Sequence, residues 1–191
     1  MFTQSLKAFV SCALSVAVAV QFVGCAGSGK GEVARRNSDA LQQILQTSAP
    51  SLAGPYQRLS DFRGKIVMLH FVSSWCGQCG LEAPSIRNVQ TSFKDSGFSV
   101  VGVAVDDDPY QMQVFASKYS LNFPVLMDTA GDFKTFFGIK ELPATLFLDR
   151  RGMPIRFQDP ESGQTTAKIE GARMWDSTGP VEMIARLVEG R

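Results

Sequence analysis

Cysteine and histidine are both scarce in this sequence. Its 191 residues include four cysteines and one histidine. Four cysteines are too few for the disulfide framework that holds small secreted domains together. Lys and Arg number 19 against 18 acidic residues, which leaves a net charge of +1. This balance gives no electrostatic reason to expect nucleic acid or an acidic substrate as a partner.

Apolar residues make up 45% of the chain and charged residues 19%, which is ordinary for a globular protein with a real core. The first 24 residues differ from this average. Residues 1–7 carry one positive charge and no acid, and residues 8–24 are almost continuously apolar. This segment is short for a membrane span and predicts a secretory signal peptide, residues 1–24.

The leader ends in Phe22-Val23-Gly24, directly before Cys25. This ending resembles a bacterial lipobox, although Phe22 replaces the usual Leu. Cleavage before Cys25 would leave a lipidated cysteine that holds the protein on a membrane facing the periplasm. Ordinary cleavage would instead leave Cys25 as a spare thiol in a secreted protein.

The remaining chain is expected to form one domain with a short extension. Residues 25–37 are rich in Gly, Ser and charged residues, and we interpret them as the lipidated N-terminus and its tether. The domain is expected to cover residues 38–191. Ser38 is the predicted N-cap of a short amphipathic helix, followed by an irregular lead-in around Pro50 and Pro55.

Beyond this lead-in, apolar runs and capping signals predict strands and helices in alternation, an α/β arrangement with parallel strands early and an antiparallel hairpin late. An exposed loop is predicted between that hairpin and the last helix. The predicted elements are strand 65–72, helix 76–93, strand 99–105, a helix from Pro109, strand 123–127, helix 132–137, the hairpin 145–148 with 154–157, the loop 159–168 and a helix from Ser177.

The chemistry is expected at Cys76 and Cys79, a Cys-x-x-Cys pair between the first buried strand and its helix. Unpaired N–H groups and the helix dipole at a helix N-terminus lower the pKa of a thiol. Cys76 should therefore be the exposed attacking thiolate. Cys79, one turn further in, should be the more buried resolving cysteine.

A structural zinc half-site is the alternative for this pair. Zinc needs about four ligands, and beyond the pair the mature chain offers only Cys25 and His70 as thiolate or imidazole. Cys25 lies at the far end of the tether, and His70 is expected to pack in the sheet. We therefore favour redox chemistry and expect no metal and no cofactor.

Glu82 lies three residues after Cys79, on the helix face that continues with Ile86 and Val89. Burial of a carboxylate there should raise its pKa towards neutrality, so that it could take the proton from Cys79. Alternatively, Glu82 could reach solvent near the helix start. Pro84 lies inside the same helix and should kink it.

The sequence resembles the thioredoxin superfamily, in particular its membrane-tethered TlpA/ResA-like branch. The matching segments are Leu59-Ser60-Asp61-Phe62-Arg63-Gly64-Lys65, Trp75-Cys76-Gly77-Gln78-Cys79, Glu82-x-Pro84, Val101-Gly102-Val103 and Leu142-Pro143-Ala144-Thr145-Leu146-Phe147-Leu148-Asp149, with a weaker match at Gly171-x-Arg173-x-Trp175.

The resemblance implies a thioredoxin-like fold, a central mixed sheet flanked by helices, with an extra strand and helix inserted at residues 123–139. It also implies that Pro143 is a cis-proline facing the disulfide and that the backbone of Leu142 pairs with a bound substrate chain. Trp75 would shield the disulfide. From the residues alone, Pro143 could equally be trans and Trp75 a partly buried structural aromatic. Gly80 departs from the family pattern, which commonly has a basic residue there.

The expected function is an extracytoplasmic thiol-disulfide oxidoreductase that reduces protein disulfides and is re-reduced by a membrane electron donor. The resemblance implies cytochrome c maturation as one substrate class and general disulfide reduction as another. A copper-delivery module and a thiol peroxidase on the same fold are the alternatives. Against them, copper modules separate their cysteines by three residues, and a peroxidase-type Thr-x-x-Cys is missing from the chain.

Overall fold

A seven-stranded mixed sheet forms the centre of the protein. The computed structural model describes residues 29–52, 54–105 and 108–190. The predicted signal peptide and Cys25 therefore lie outside the described residues. The elements are α1 (Gly29–Gln46), β1 (Ser48–Ser51), β2 (Gly54–Arg58), a 3-10 turn (Leu59–Phe62), β3 (Ile66–Val72), α2 (Gly77–Phe93), β4 (Phe98–Ala104), α3 (Pro109–Lys118), β5 (Val125–Met127), α4 (Asp132–Phe136), β6 (Ala144–Leu148), β7 (Phe157–Gln158), β8 (Thr165–Thr166), β9 (Lys168–Glu170) and α5 (Thr178–Glu189).

The strands lie in the order β2-β1-β5-β4-β3-β6-β9, and β7 with β8 makes a separate two-stranded ribbon. β3, β4 and β5 are parallel. β6 is antiparallel to both of its neighbours, β3 and β9. The predicted α/β fold, with parallel strands early and antiparallel strands late, is confirmed, and the inserted strand and helix correspond to β5 and α4.

The sheet is covered on both faces, as the continuous apolar runs predict. Every residue of β3 and β4 is buried. Successive side chains of β3 point to opposite faces of the sheet, so they pack into two different cores. Val67, Leu69 and Phe71 pack with α1 and α4. Met68 packs with α2 and α5 on the other face.

The predicted start of the first helix at Ser38 is wrong. α1 already includes residues 29–37, which the sequence pattern assigns to the tether. Residues 31–40 are all exposed, and the buried side chains of α1 begin at Leu41. No apolar stripe marks the first half of α1 because that half does not pack on the core. The boundaries 1–24, 25–37 and 38–191 remain predictions.

The predicted late hairpin is also largely wrong. Pro154 makes a single bridge to Leu148, and the next hydrogen bond joins the Ile155 N–H to the Phe147 carbonyl. The pairing stops there because β9 pairs with residues 144–146 on this edge of β6. The predicted exposed loop 159–168 contains β8 and the buried Asp159.

The irregular lead-in predicted around residues 50–55 contains an antiparallel hairpin instead, formed by β1 and β2. β1 also joins β5 through one pair, Ser51 with Leu126. Both strands contain proline, so their sequences do not show the alternation that marks a strand. Within the described residues, no helix combines the length and apolar character that crossing a membrane requires.

Candidate active site

The sequence places Cys76 where a strand ends and a helix begins. β3 ends at Val72, and α2 begins at Gly77 with Cys76 as its N-cap. The Sγ of Cys76 accepts a hydrogen bond from the Cys79 N–H at 3.1 Å. The predicted position of Cys76 at a helix N-terminus is therefore confirmed. Free N–H groups of this first turn can stabilise a thiolate.

Cys76 and Cys79 form a disulfide, with their Cα atoms 5.3 Å apart. The prediction that Cys76 is exposed is wrong, because it is buried with 8% of its surface accessible; Cys79 is completely buried, so the predicted order of the two holds. Both sulfurs belong to an apolar cluster with side chains of β3, β4, β5 and α3. Apolar surroundings disfavour a thiolate, and Cys79 lies deeper in them than Cys76. Attack by Cys76 and resolution by Cys79 would require Cys76 to be the more accessible of the two, and it is.

Three large apolar side chains stand in solvent near the disulfide. Trp75 is 72% exposed, Leu81 71% and Met174 60%. A tryptophan this exposed contributes little to the core, so the alternative of a partly buried structural Trp75 is wrong. Exposed apolar side chains beside a reactive centre are suited to contact with another polypeptide.

The peptide bond between Leu142 and Pro143 is cis, as the family resemblance implied. The Leu142 side chain packs against the cluster that contains both cysteines. The Pro143 carbonyl accepts a hydrogen bond from the Gly171 N–H at 2.8 Å. No hydrogen bond within the described residues uses the backbone of Leu142. That backbone can therefore pair with an incoming chain.

Glu82 is only 1% exposed, so the alternative in which it reaches solvent is wrong. Its Oε1 accepts a hydrogen bond from the indole Nε1 of Trp175, and its Oε2 has no partner within the described residues. Burial raises the pKa of Glu82 to about 8, against the opposing effects of the Trp175 hydrogen bond and of Arg173. The predicted rise of this pKa towards neutrality is confirmed.

Trp175 is not among the predicted site residues, although the structure makes it the partner of Glu82. Its backbone N–H donates to Ser85 Oγ at 3.1 Å, and Ser85 Oγ donates to the Glu82 carbonyl at 2.8 Å. Trp175 is 93 positions from Glu82, so no local spacing connects the two. The weak match at Gly171-x-Arg173-x-Trp175 is the only signal in the sequence that could have found it.

A groove of about 310 Å³ opens beside α2, and Glu82 forms part of its lining. Leu81 and Met174 line the same groove and are exposed at its rim. The remaining lining residues are Gln78, Glu161, Ala172 and Arg173. The groove therefore places Glu82 on the same side of the molecule as the exposed apolar side chains of Leu81 and Met174.

His70 packs inside the sheet, as predicted. It is 2% exposed, and its Nδ1 lies 3.0 Å from Thr145 Oγ1 on the neighbouring strand β6. Burial lowers the pKa of His70 to about 3, so the imidazole is neutral at physiological pH. Across the described residues, no three His, Cys, Asp or Glu side chains come together in a group that could hold a metal ion.

Comparison with known proteins adds independent evidence. The AhpC/TSA family profile matches residues 41–156. The chain is 30% identical over 119 residues to the thiol-disulfide oxidoreductase ResA of Bacillus thuringiensis subsp. konkukian, which is 62% of this chain and 68% of that protein.

Many solved structures are similar to this one, and two serve as examples. The first is a putative thiol:disulfide interchange protein DsbE from Chlorobium tepidum, with a TM-score of 0.62 at 26% identity over 74% of this chain and 92% of that one. The second is a secreted Mycobacterium tuberculosis disulfide oxidoreductase homologous to E. coli DsbE, with a TM-score of 0.58 at 27% identity over 78% and 98% of the two chains. The predicted thioredoxin-like fold is confirmed.

Proposed function

Since the chain belongs to the AhpC/TSA family and is a thiol-disulfide oxidoreductase, we propose that it reduces disulfides of protein substrates outside the cytoplasm. The observation that carries this proposal is the Cys76–Cys79 disulfide at the N-terminus of α2, with the buried carboxyl of Glu82 on the following turn. The structure is the oxidised form of that pair. In the proposed reducing direction, this is the form that remains after the enzyme has given two electrons to a substrate.

The first step begins from the reduced pair. The Cys76 thiolate attacks one sulfur of a substrate disulfide and forms a mixed disulfide, and the other substrate sulfur leaves as a thiolate that takes a proton from water. The exposed apolar side chains of Trp75, Leu81 and Met174 would contact the substrate chain. The free backbone of Leu142 would pair with it.

In the second step Cys79 attacks the Sγ of Cys76. The Cys76–Cys79 disulfide forms, the bond to the substrate breaks, and the second substrate sulfur leaves as a thiolate. Cys79 must lose its proton to attack, and Glu82 lies one helical turn from it. The Glu82 carboxylate would accept that proton and remain neutral in the oxidised enzyme. Its pKa of about 8 agrees with a carboxyl that is mostly protonated at neutral pH in this form.

The residues between the cysteines support the reducing direction. Gly77 and Gln78 place no histidine beside Cys76, so its thiolate lacks that stabilisation. Strong oxidants owe their high potential to a stabilised reduced form. A membrane electron donor would then return two electrons to the pair. Cys76 would be restored as the thiolate, and Cys79 would regain its proton from Glu82.

The leader sequence supports the location. Residues 1–24 have the pattern of a signal peptide, and lipidation of Cys25 would hold the enzyme on the periplasmic side of a bacterial membrane. The similar M. tuberculosis oxidoreductase is described as secreted. Apocytochrome c is included as a substrate class because the family resemblance implies cytochrome c maturation.

Trapping of the mixed disulfide tests the proposal. Reduced Cys79→Ser protein cannot complete the second step, so a substrate should stay attached to Cys76 after incubation with a periplasmic extract or with disulfide-bonded apocytochrome c. Cys76→Ser is the matched control and should trap nothing on Cys79. Absence of any adduct on Cys76 would refute the oxidoreductase mechanism, and peroxide consumption without an adduct would favour a thiol peroxidase.

A further inference from the structure

Arg173 and Asp159 form a buried ion pair near the active site. Arg173 Nη2 lies 3.1 Å from Asp159 Oδ2, and the two side chains are 17% and 7% exposed. The Nη1 of the same guanidinium contacts the carboxylate of Glu161. Taking an ion pair out of water has an energetic cost that its attraction alone often fails to offset. Stabilisation of the fold is therefore not enough to explain why the protein contains this ion pair.

Asp159 also organises the short loop that follows it. Its Oδ1 accepts from the Glu161 N–H at 3.1 Å, and its Oδ2 accepts from Ser162 Oγ at 2.6 Å. The Asp159 carbonyl accepts from the Gly163 N–H at 2.8 Å. These bonds fix Asp159 and Glu161 in position, and the two carboxylates in turn fix the Arg173 guanidinium.

Arg173 and Glu82 share a groove. Both residues line the groove of about 310 Å³, and Glu161 lines it as well. Two residues after Arg173, the Trp175 indole donates to Glu82 Oε1. Glu82 Oε2, which is buried and without a partner within the described residues, is the oxygen left to hold a proton.

We propose that Arg173 is a positioning residue whose charge, partly neutralised by Asp159 and Glu161, controls how readily Glu82 holds its proton. This inference rests on the proposed role of Glu82 in accepting the proton of Cys79. It adds that the loop 159–163 acts on the chemistry through Arg173, whose guanidinium it holds.

The charges around Glu82 determine whether each substitution raises or lowers its pKa. The groups on its side of the groove are the Trp175 indole, the backbone N–H and guanidinium of Arg173, and the Glu161 and Asp159 carboxylates that hold this guanidinium. The Arg173 backbone N–H lowers the pKa of Glu82, and the guanidinium charge lowers it to a smaller extent. Removal of this cation should raise the pKa, whereas removal of the Glu161 carboxylate should lower it.

The test is a direct titration of Glu82 in the oxidised full-length protein, through the ¹³C resonance of its side-chain carboxyl, identified by its absence in Glu82→Gln. In Arg173→Gln we expect the titration midpoint to rise by about 0.5 to 1 pH unit. In Arg173→Lys, which keeps the charge, it should stay within about 0.3 unit of wild type. In Glu161→Gln it should fall by about 0.3 unit, since Glu161 is more than half exposed to solvent.

Glu182→Gln is the matched control, because Glu182 is an exposed glutamate on α5 that pairs with Arg186 and should leave the midpoint unchanged. If Arg173→Gln and Arg173→Lys shift the midpoint equally, Arg173 acts only by packing and the proposal fails. If Arg173→Gln does not fold, an unchanged midpoint in Glu161→Gln overturns it. No turnover is involved, so this outcome is distinct from a failure to trap a substrate on Cys76.

Discussion

At the scale of single residues, the central feature of the site is the buried carboxyl of Glu82. A carboxyl that is 1% exposed, with one oxygen lacking a partner, is stable mainly in its neutral form. Its pKa is therefore raised well above the ordinary value of a glutamate. The indole of Trp175 fixes one oxygen and leaves the other for the proton.

Glu82→Gln should slow the resolution step. Glutamine fills the same space but cannot accept a proton, so Cys79 must lose its proton to water in a buried, apolar environment. We expect release of substrate from a preformed mixed disulfide to slow by about 100-fold near pH 7, measured by single-turnover quenching. Attack by Cys76 should be almost unaffected. An unchanged release rate would show that Glu82 does not take the proton.

Gly80→Ala should destabilise the protein, although this change usually stabilises a helix. A Cβ at position 80 would collide with the Tyr119 hydroxyl and lie 2.9 Å from its Cζ. We expect the free energy of unfolding to fall by about 1 to 3 kcal/mol in urea titrations. In a Tyr119→Leu background the same change should be neutral or stabilising. Equal losses in the two backgrounds would contradict this account of the unusual glycine.

At the scale of elements, the turn between β6 and β7 packs closely against α1. Gly152 has φ +89°, and a Cβ there would lie 2.9 Å from Leu45 Cδ1. Leu45 is fully buried in the core that covers one face of the sheet. The turn and the helix thus fit together only because residue 152 has no side chain.

Gly152→Ala should therefore cost more than the strain of a positive φ alone. Gly163 has φ +70°, and a Cβ at that position would meet nothing within 4 Å, so Gly163→Ala measures that strain by itself. We expect a loss of about 1 kcal/mol in unfolding free energy for Gly163→Ala and about 2 to 4 kcal/mol for Gly152→Ala, in parallel urea titrations. Equal losses would mean that Leu45 moves aside without cost.

Elements whose signals are local were predictable from the sequence. The apolar runs of β3 and β4 and the N-cap at Asp108 lie within a few residues of what they specify. β9 has only three residues, and its identity as a strand depends on β6, more than 20 positions earlier. Edge pairing of this kind is a property of the assembled sheet, which no short window of sequence contains.

At the scale of the whole molecule, two buried groups set the pH range of stability in opposite directions. The pKa of His70 falls from 6.5 to about 3 in the folded protein. Below pH 6.5 the unfolded chain therefore binds a proton that the folded protein does not, and the free energy of unfolding falls as the pH falls. The pKa of Glu82 rises from 4.5 to about 8, so the free energy of unfolding also falls as the pH rises above 4.5.

These two effects oppose each other between pH 4.5 and 6.5, where their sum is nearly constant. Glu82→Gln should remove the alkaline loss, so its free energy of unfolding relative to wild type should increase by about 4 kcal/mol between pH 4.5 and 8. His70→Asn should instead reduce the acid loss. Urea titrations of the oxidised proteins at pH 4, 5.5 and 8 measure both, and parallel curves for all three proteins would contradict the account.

The candidate site was predictable from the sequence only in part. Cys76, Cys79 and Glu82 share one helix, so their spacing shows that they belong together. The cis bond before Pro143 followed from the family resemblance, because the residues alone allow both isomers. Arg173 and Trp175 reach Glu82 from the far end of the chain, and their role depends on how the segment after β9 packs against α2.

The two edge strands of the central sheet are protected against pairing with strands of other polypeptides. β2 forms one edge and contains Pro55, which has no N–H to offer a further strand. β9 forms the other edge and carries Lys168 and Glu170 on either side of Ile169. Charged residues and proline are the usual barriers to edge-to-edge aggregation. The protein can thus expose Trp75, Leu81 and Met174 to other polypeptides without its edge strands pairing with them and causing aggregation.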